Sequence, residues 1–120
     1  MIIRDDSIRE VRWLSSEQKQ RICAFLQGAV YCWRKNRPND WFALRDLMGG
    51  ENYVWDETPM IALYEKYKNE GYDEPEKRAG IDGGYLLKKV IDDMETSFDT
   101  RNEDGYHREY LWLPPNDEHN

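Results

Sequence analysis

Apolar residues recur along this chain at helical steps over most of its length. Ile22, Phe25, Leu26, Ala29, Val30 and Trp33 are three or four positions apart, which gathers them on one face of an α-helix. Ser15 and Gln18 have the spacing of a capping box, so the first long helix is expected from Ser15 or Ser16 to near Asn36. Asn39 or Asp40 can cap a short second helix through Trp41, Phe42, Leu44, Leu47 and Met48, ended by Gly49 in the left-handed conformation. Thr58 and Pro59 open a third helix with Met60, Leu63, Tyr64 and Tyr67 inward, and Gly71 closes it. Residues 74–79 read as one further turn stopped by Gly80. A last long helix is expected from Asp82 to near Asp99, with Leu86, Leu87, Val90, Ile91, Met94 and Phe98 on its inner side.

The two ends change character. EVRWLS (10–15) and REYLWLPP (108–115) are short, rich in aromatic and branched residues, and the second is halted by prolines. They read as two short strands paired with each other, which would bring the ends of the chain together. For the first, a short helix is the alternative, because Ser7 and Glu10 make another capping box. The fold class expected is therefore mainly α: a compact bundle of four to five helices with a small two-stranded element pairing the N- and C-terminal segments. An α+β fold with a larger sheet is the alternative. With 120 residues, no internal repeat and no low-complexity linker, one domain over 1–120 is expected.

Charge narrows the partners. The net charge is −7, and the excess lies in the second half: residues 1–60 hold nine basic and nine acidic side chains, residues 61–120 eight and fifteen. Such a field repels phosphate backbones and draws in cationic surfaces, so a basic protein partner is favoured and nucleic acid is not expected. Arg34, Lys35 and Arg37 form a local basic knot, read as cations suited to a helix C-terminus. No stretch approaches the ~18 apolar residues of a membrane span, and MIIRDDSIRE lacks the apolar core of a secretion signal. A cytoplasmic protein without membrane contact is the expectation. Cys23 and Cys32, nine positions apart on one predicted helix, face opposite ways and can neither bridge nor share a metal.

Candidate chemistry is sparse. AGIDGGYLLKK (79–89) sets glycines and Asp82 at a predicted helix start, where free N–H groups could hold an anion, but the spacing is not that of a phosphate loop and Asp82 occupies the anion's place. DTRNEDGYHREYL (99–111) has a glycine where a calcium loop needs one, yet lacks both the leading aspartate and the closing glutamate, and so reads as a polar turn. His107 and His119 have no partners at zinc-ligand spacing, and a base role for His107 with Asp104 or Glu109 is less favoured than a solvent-facing histidine. No cofactor, metal or catalytic residue is expected.

The most distinctive segment is ENYVWDET (51–58), between Gly49-Gly50 and Pro59. Its leading reading is structural: Tyr53, Val54 or Trp55 tucks into the core while Glu51, Asp56 and Glu57 stay wet. Read as a working surface, it offers Tyr53, Trp55, Asp56 and Glu57 as partner-binding residues, aromatic anchors with a charged rim. Read as a site, Glu51, Asp56 and Glu57 beside Tyr53 and Trp55 are the residue types of a small hydrolase or a carbohydrate-binding cleft.

Five tryptophans, eight tyrosines and three phenylalanines exceed what the helical stripes need. Trp13, Tyr31, Tyr53, Trp55, Tyr72, Tyr85, Tyr106 and Trp112 lie off those stripes, and exposed aromatics mark contact surfaces. The function expected is a non-enzymatic interaction protein of the inhibitor, immunity or adaptor type, with an acidic, aromatic-rich surface that binds a basic protein or a second copy of itself as a homodimer.

Overall fold

In a computed structural model, which describes Ile2 and residues 10–50, 55–105 and 107–115, the chain forms four helices and a two-stranded antiparallel sheet. The mainly α architecture agrees with the sequence pattern. Helix α1 (Ser16–Asn36) begins as the capping box requires: the Ser15 hydroxyl accepts from the Gln18 N–H at 3.0 Å, and the Gln18 carboxamide accepts from the Ser15 N–H at 2.9 Å. Its inward stripe is Ile22, Leu26 and Val30, all fully buried, with Phe25 and Trp33 packed at the edge of the core.

Helix α2 is shorter than its apolar pattern suggests, covering only Leu44–Leu47. Trp41 and Phe42 were expected inside it, yet the Phe42 backbone is committed elsewhere, donating to Tyr110 O at 2.9 Å and accepting from Tyr110 N at 2.8 Å. Two ladder bonds to a strand outweigh the first turn of a marginal helix. The N-cap is correspondingly Ala43 instead of Asn39 or Asp40, and its N–H donates to the carboxylate of Asp46, three residues on, at 2.7 Å.

Helix α3 (Ile61–Asn69) ends in a Schellman motif: Gly71 adopts φ 75°, its N–H donates to Lys68 O, and Tyr72 N–H donates to Tyr67 O, both at 3.1 Å. Helix α4 (Pro75–Asp93) departs most from expectation. The turn at 74–79 and the helix expected from Asp82 are one continuous helix, and Gly80 does not stop it. A mid-helix glycine costs only about 1 kcal/mol. Burial of Ala79, Leu86, Leu87, Val90 and Ile91 on one side gives back ~1.5–3 kcal/mol for each of the larger side chains. Gly83 sits at a close approach of α4 to α2 and to the residue before α3: a Cβ there would lie 2.7 Å from Leu44 Cδ2 and 3.3 Å from Met60 Cε, so those side-chain ends would have to shift.

The helix also stops at Asp93, not near Asp99. Two carboxylates, Asp92 and Asp93, meet the negative end of the helix dipole there, and the chain turns extended at Met94. Strand β1 (Ser97–Arg101) follows and pairs with β2 (Glu109–Leu113) in the register Phe98↔Trp112 and Thr100↔Tyr110. The C-terminal segment is thus a strand as expected, but its main partner is 97–101. Residues 10–15 are not a strand; among the described residues, Ile2 joins the sheet by a parallel bridge to Phe98. Phe98 is still buried, delivered by two-residue strand alternation instead of a helical stripe. Its ring meets Phe42 edge-on at 6.4 Å, and Phe42 in turn touches Tyr110 and Trp33 at 6.0 and 5.8 Å, joining the sheet to α1.

Among the described residues no helix is long and apolar enough to cross a membrane.

Candidate interaction surface

The segment nominated by the sequence divides. Trp55 is 2% exposed and belongs to the core, where it presents no contact face. Asp56 and Glu57 are exposed, in a turn closed by Thr58, whose hydroxyl donates to Trp55 O at 2.8 Å and accepts from Met60 N–H at 3.2 Å. Glu51, Tyr53 and Val54 lie outside the described residues. What is visible of ENYVWDET is therefore a core anchor followed by a wet turn.

The glycine-rich segment 79–84 is helix interior, so its amides are spent on helical bonds and the anion-site reading is overturned. The polar turn before β2 is as expected: Asp104 accepts from the His107 N–H at 2.7 Å and its second oxygen lies 2.7 Å from His107 Nδ1. Glu109, the other acid considered for His107, pairs instead with Arg101 Nε at 2.9 Å. Among the described residues, no group of three or more His, Cys, Asp or Glu is placed to hold a metal ion.

Two aromatic groups that include off-stripe residues do reach the surface. The first is built on α3. The Schellman motif folds Tyr72 back over Tyr67, with ring centroids 5.2 Å apart at 76°, the apolar contact that accompanies this motif. Trp13 closes the group, 6.0 Å from Tyr67 and 5.9 Å from Tyr72. The Arg78 guanidinium stands 4.7 Å above the Tyr72 ring, and Ile81, one turn further along α4, is 49% exposed.

Trp13 itself is 58% exposed, and its backbone has φ 64°, a left-handed conformation rarely taken by a bulky side chain. The flanking residues impose it. Val11 is buried in the core, Leu14 packs at its edge, and Ser15 is fixed as the cap of α1. With Val11 and Leu14 turned inward, the Trp13 ring between them is turned out.

Beneath the rings lies a polar unit that sequence reasoning missed. Lys66 and Asp82 have side chains 8% and 10% exposed, with Nζ 2.6 Å from Oδ2. Lys66 Nζ also donates to Arg12 O at 2.6 Å, and the Tyr67 hydroxyl donates to Asp82 Oδ2 at 2.7 Å. Burial, then the hydrogen bond and charge of Asp82, push the Tyr67 phenol up to about 12 from 10.0. A signal existed: Asp82 sits three residues after Ala79 and four before Leu86, inside the apolar stripe of α4, a place a carboxylate takes only when paired.

The turn from α3 to α4 carries Glu70, Asp73, Glu74 and Glu76 and no cation between residues 70 and 76. Glu70, Asp73 and Glu74 are exposed and flank Tyr72 along the chain. Lys77, 4.0 Å from Glu74, and Arg78 flank them in the next turn of chain.

The second group lies at the other end of α1. Arg34 is sandwiched between the rings of Tyr31 and Trp112, 4.6 and 4.9 Å from their centroids, and Trp112 Nε1 donates to Thr96 Oγ1 at 2.8 Å. Tyr31 is 47% exposed on the wall of a groove of about 660 Å³ lined also by Asp93, Glu95 and Thr96. The basic knot is largely spent here, since Arg37 also lies over Trp33 at 5.3 Å and 3.9 Å from Asp40.

Comparison with known proteins adds no relative: no protein-family model matches the chain, and no curated protein or solved structure is significantly similar to it.

Proposed function

We propose that the protein is a non-enzymatic interaction module that binds a basic protein partner through the face formed by Trp13, Tyr67 and Tyr72 and the carboxylates of the α3–α4 turn. The observation that carries this reading is Trp13, a tryptophan more than half exposed and held in a strained backbone conformation on a packed aromatic platform. Exposing an indole forfeits ~1.5–3 kcal/mol of burial, and strain at a bulky left-handed residue adds ~1–3 kcal/mol. Sites that bear such costs cluster where a partner is gripped. Tyrosine and tryptophan anchors within a charged rim are the composition of interface centres. Glu70, Asp73, Glu74 and Glu76, on a chain of net charge −7, favour a cationic counterpart and fast, salt-sensitive association.

Photocrosslinking tests the reading. With benzoylphenylalanine in place of Trp13, irradiation in extract is expected to give an adduct with a basic protein, diminished when Glu70, Asp73 and Glu74 are changed to glutamine. An adduct at twice the chain mass would instead make the partner a second copy. No adduct, or adducts indifferent to these three charges, overturns the proposal.

A further inference from the structure

The buried Lys66–Asp82 pair has no role in holding α3 to α4 that a pair of apolar side chains could not fill, since such replacements in protein interiors are often neutral or stabilising. What an apolar pair cannot do is hold a backbone carbonyl. Lys66 spends one of its three donors on Asp82 and another on the carbonyl of Arg12, 54 positions away and in a segment with no helix or strand of its own. That carbonyl belongs to the peptide plane between Arg12 and Trp13, the plane whose tilt enters the φ of Trp13. Asp82 fixes the ammonium, and Tyr67, bonded to the same carboxylate oxygen, is also a ring that Trp13 packs against, 6.0 Å away at 66°.

We infer that Lys66 and Asp82 are positioning residues, a buried latch that fastens the 10–15 segment at Arg12 and thereby presents the Trp13 ring outward. The latch takes its purpose from Trp13 as a contact residue, but its existence is tested without any partner. Val11 and Leu14 anchor the segment on either side, so releasing the latch frees the Arg12–Trp13 peptide while the helices stay packed.

The test is the Lys66→Met/Asp82→Asn double variant, which removes both charges, keeps side-chain volume and leaves an acceptor for Tyr67. With helical circular dichroism and melting temperature retained, trypsin is expected to cut after Arg12 about tenfold faster than in the unaltered protein, read by mass spectrometry as the peptide beginning at Trp13. The fluorine signal of 5-fluorotryptophan at position 13 is expected to move toward its unfolded position. Unchanged cleavage and an unmoved signal in the folded variant overturn the latch. Should the variant not fold, the unaltered protein decides: the Lys66 ammonium protons exchange with water at least about tenfold more slowly than those of exposed Lys68, and equal rates overturn the latch. These outcomes leave the crosslinking at position 13 to judge the contact reading separately.

Discussion

Trp13 and Trp55 are both off the helical stripes and both lie in short irregular segments that precede a helix, yet one is 58% exposed and the other 2%. Trp55 is followed by two charged residues, Asp56 and Glu57, that take the solvent side, while the indole goes inward. Trp13 stands between Val11 and Leu14, which take the inward places themselves. The fate of each ring is set by competition with nearby residues for the core, more than by its own hydrophobicity. An irregular segment has no fixed period, so that competition is decided by where its ends are anchored.

The contrast can be broken by substitution, and the largest effect belongs to the buried ring. Trp55→Ala should lose about 3–5 kcal/mol in chemical denaturation, because the space under the turn cannot close fully. A loss below ~1 kcal/mol would mean that the indole is not a core anchor.

A smaller effect is expected beneath Trp13. Tyr67→Phe gives up one hydrogen bond to a charged acceptor and should cost about 1.5–3 kcal/mol at neutral pH. The phenol's folded value is raised, so the native state keeps its proton longer than the unfolded state does. Its contribution is complete below pH 10.0 and is lost as pH rises through about 12. Stability measured across that window should fall more steeply for the unaltered protein than for Tyr67→Phe, and parallel profiles would contradict the Asp82 contact.

Smaller still is Trp13→Gly. Glycine occupies a positive φ without strain, which offsets the lost ring packing and the greater entropy of the unfolded chain, so stability should stay within about 1 kcal/mol. Partner crosslinking from a neighbouring position should nevertheless disappear. The least effect is expected at Asp56→Asn and Glu57→Gln, each within about 0.5 kcal/mol in thermal melts, as befits exposed turn residues.

Much of the fold was legible where periodicity and end signals agree. The Ser15 capping box, the stripe of α1 and the stop at Gly71 all stand as read. The misreadings share a cause: local signals were overridden by contacts distant in sequence. Phe42 left its helix for Tyr110, Phe98 left its helix for Trp112, and Gly80 failed to break α4 because one long apolar face was being buried. Asp82 read as a helix start because aspartate before glycines so often caps one, and that hid a carboxylate inside an apolar stripe. Of the surface, the excess of aromatics pointed to Trp13, Tyr31 and Tyr72, whereas which of them would share a platform depended on the α3–α4 turn bringing positions 13, 67 and 72 together.

The most direct measurement of the central claim is fluorine NMR of the 5-fluorotryptophan-labelled protein titrated with an arginine-rich peptide at about 50 and about 500 mM salt. At low salt the Trp13 signal, assigned by its loss in Trp13→Phe, should shift while the Trp55 signal stays still, and high salt should reverse the shift. A Trp13 signal that does not respond at low salt, or one that moves equally at both salts, would contradict an acidic aromatic face built to take a basic partner.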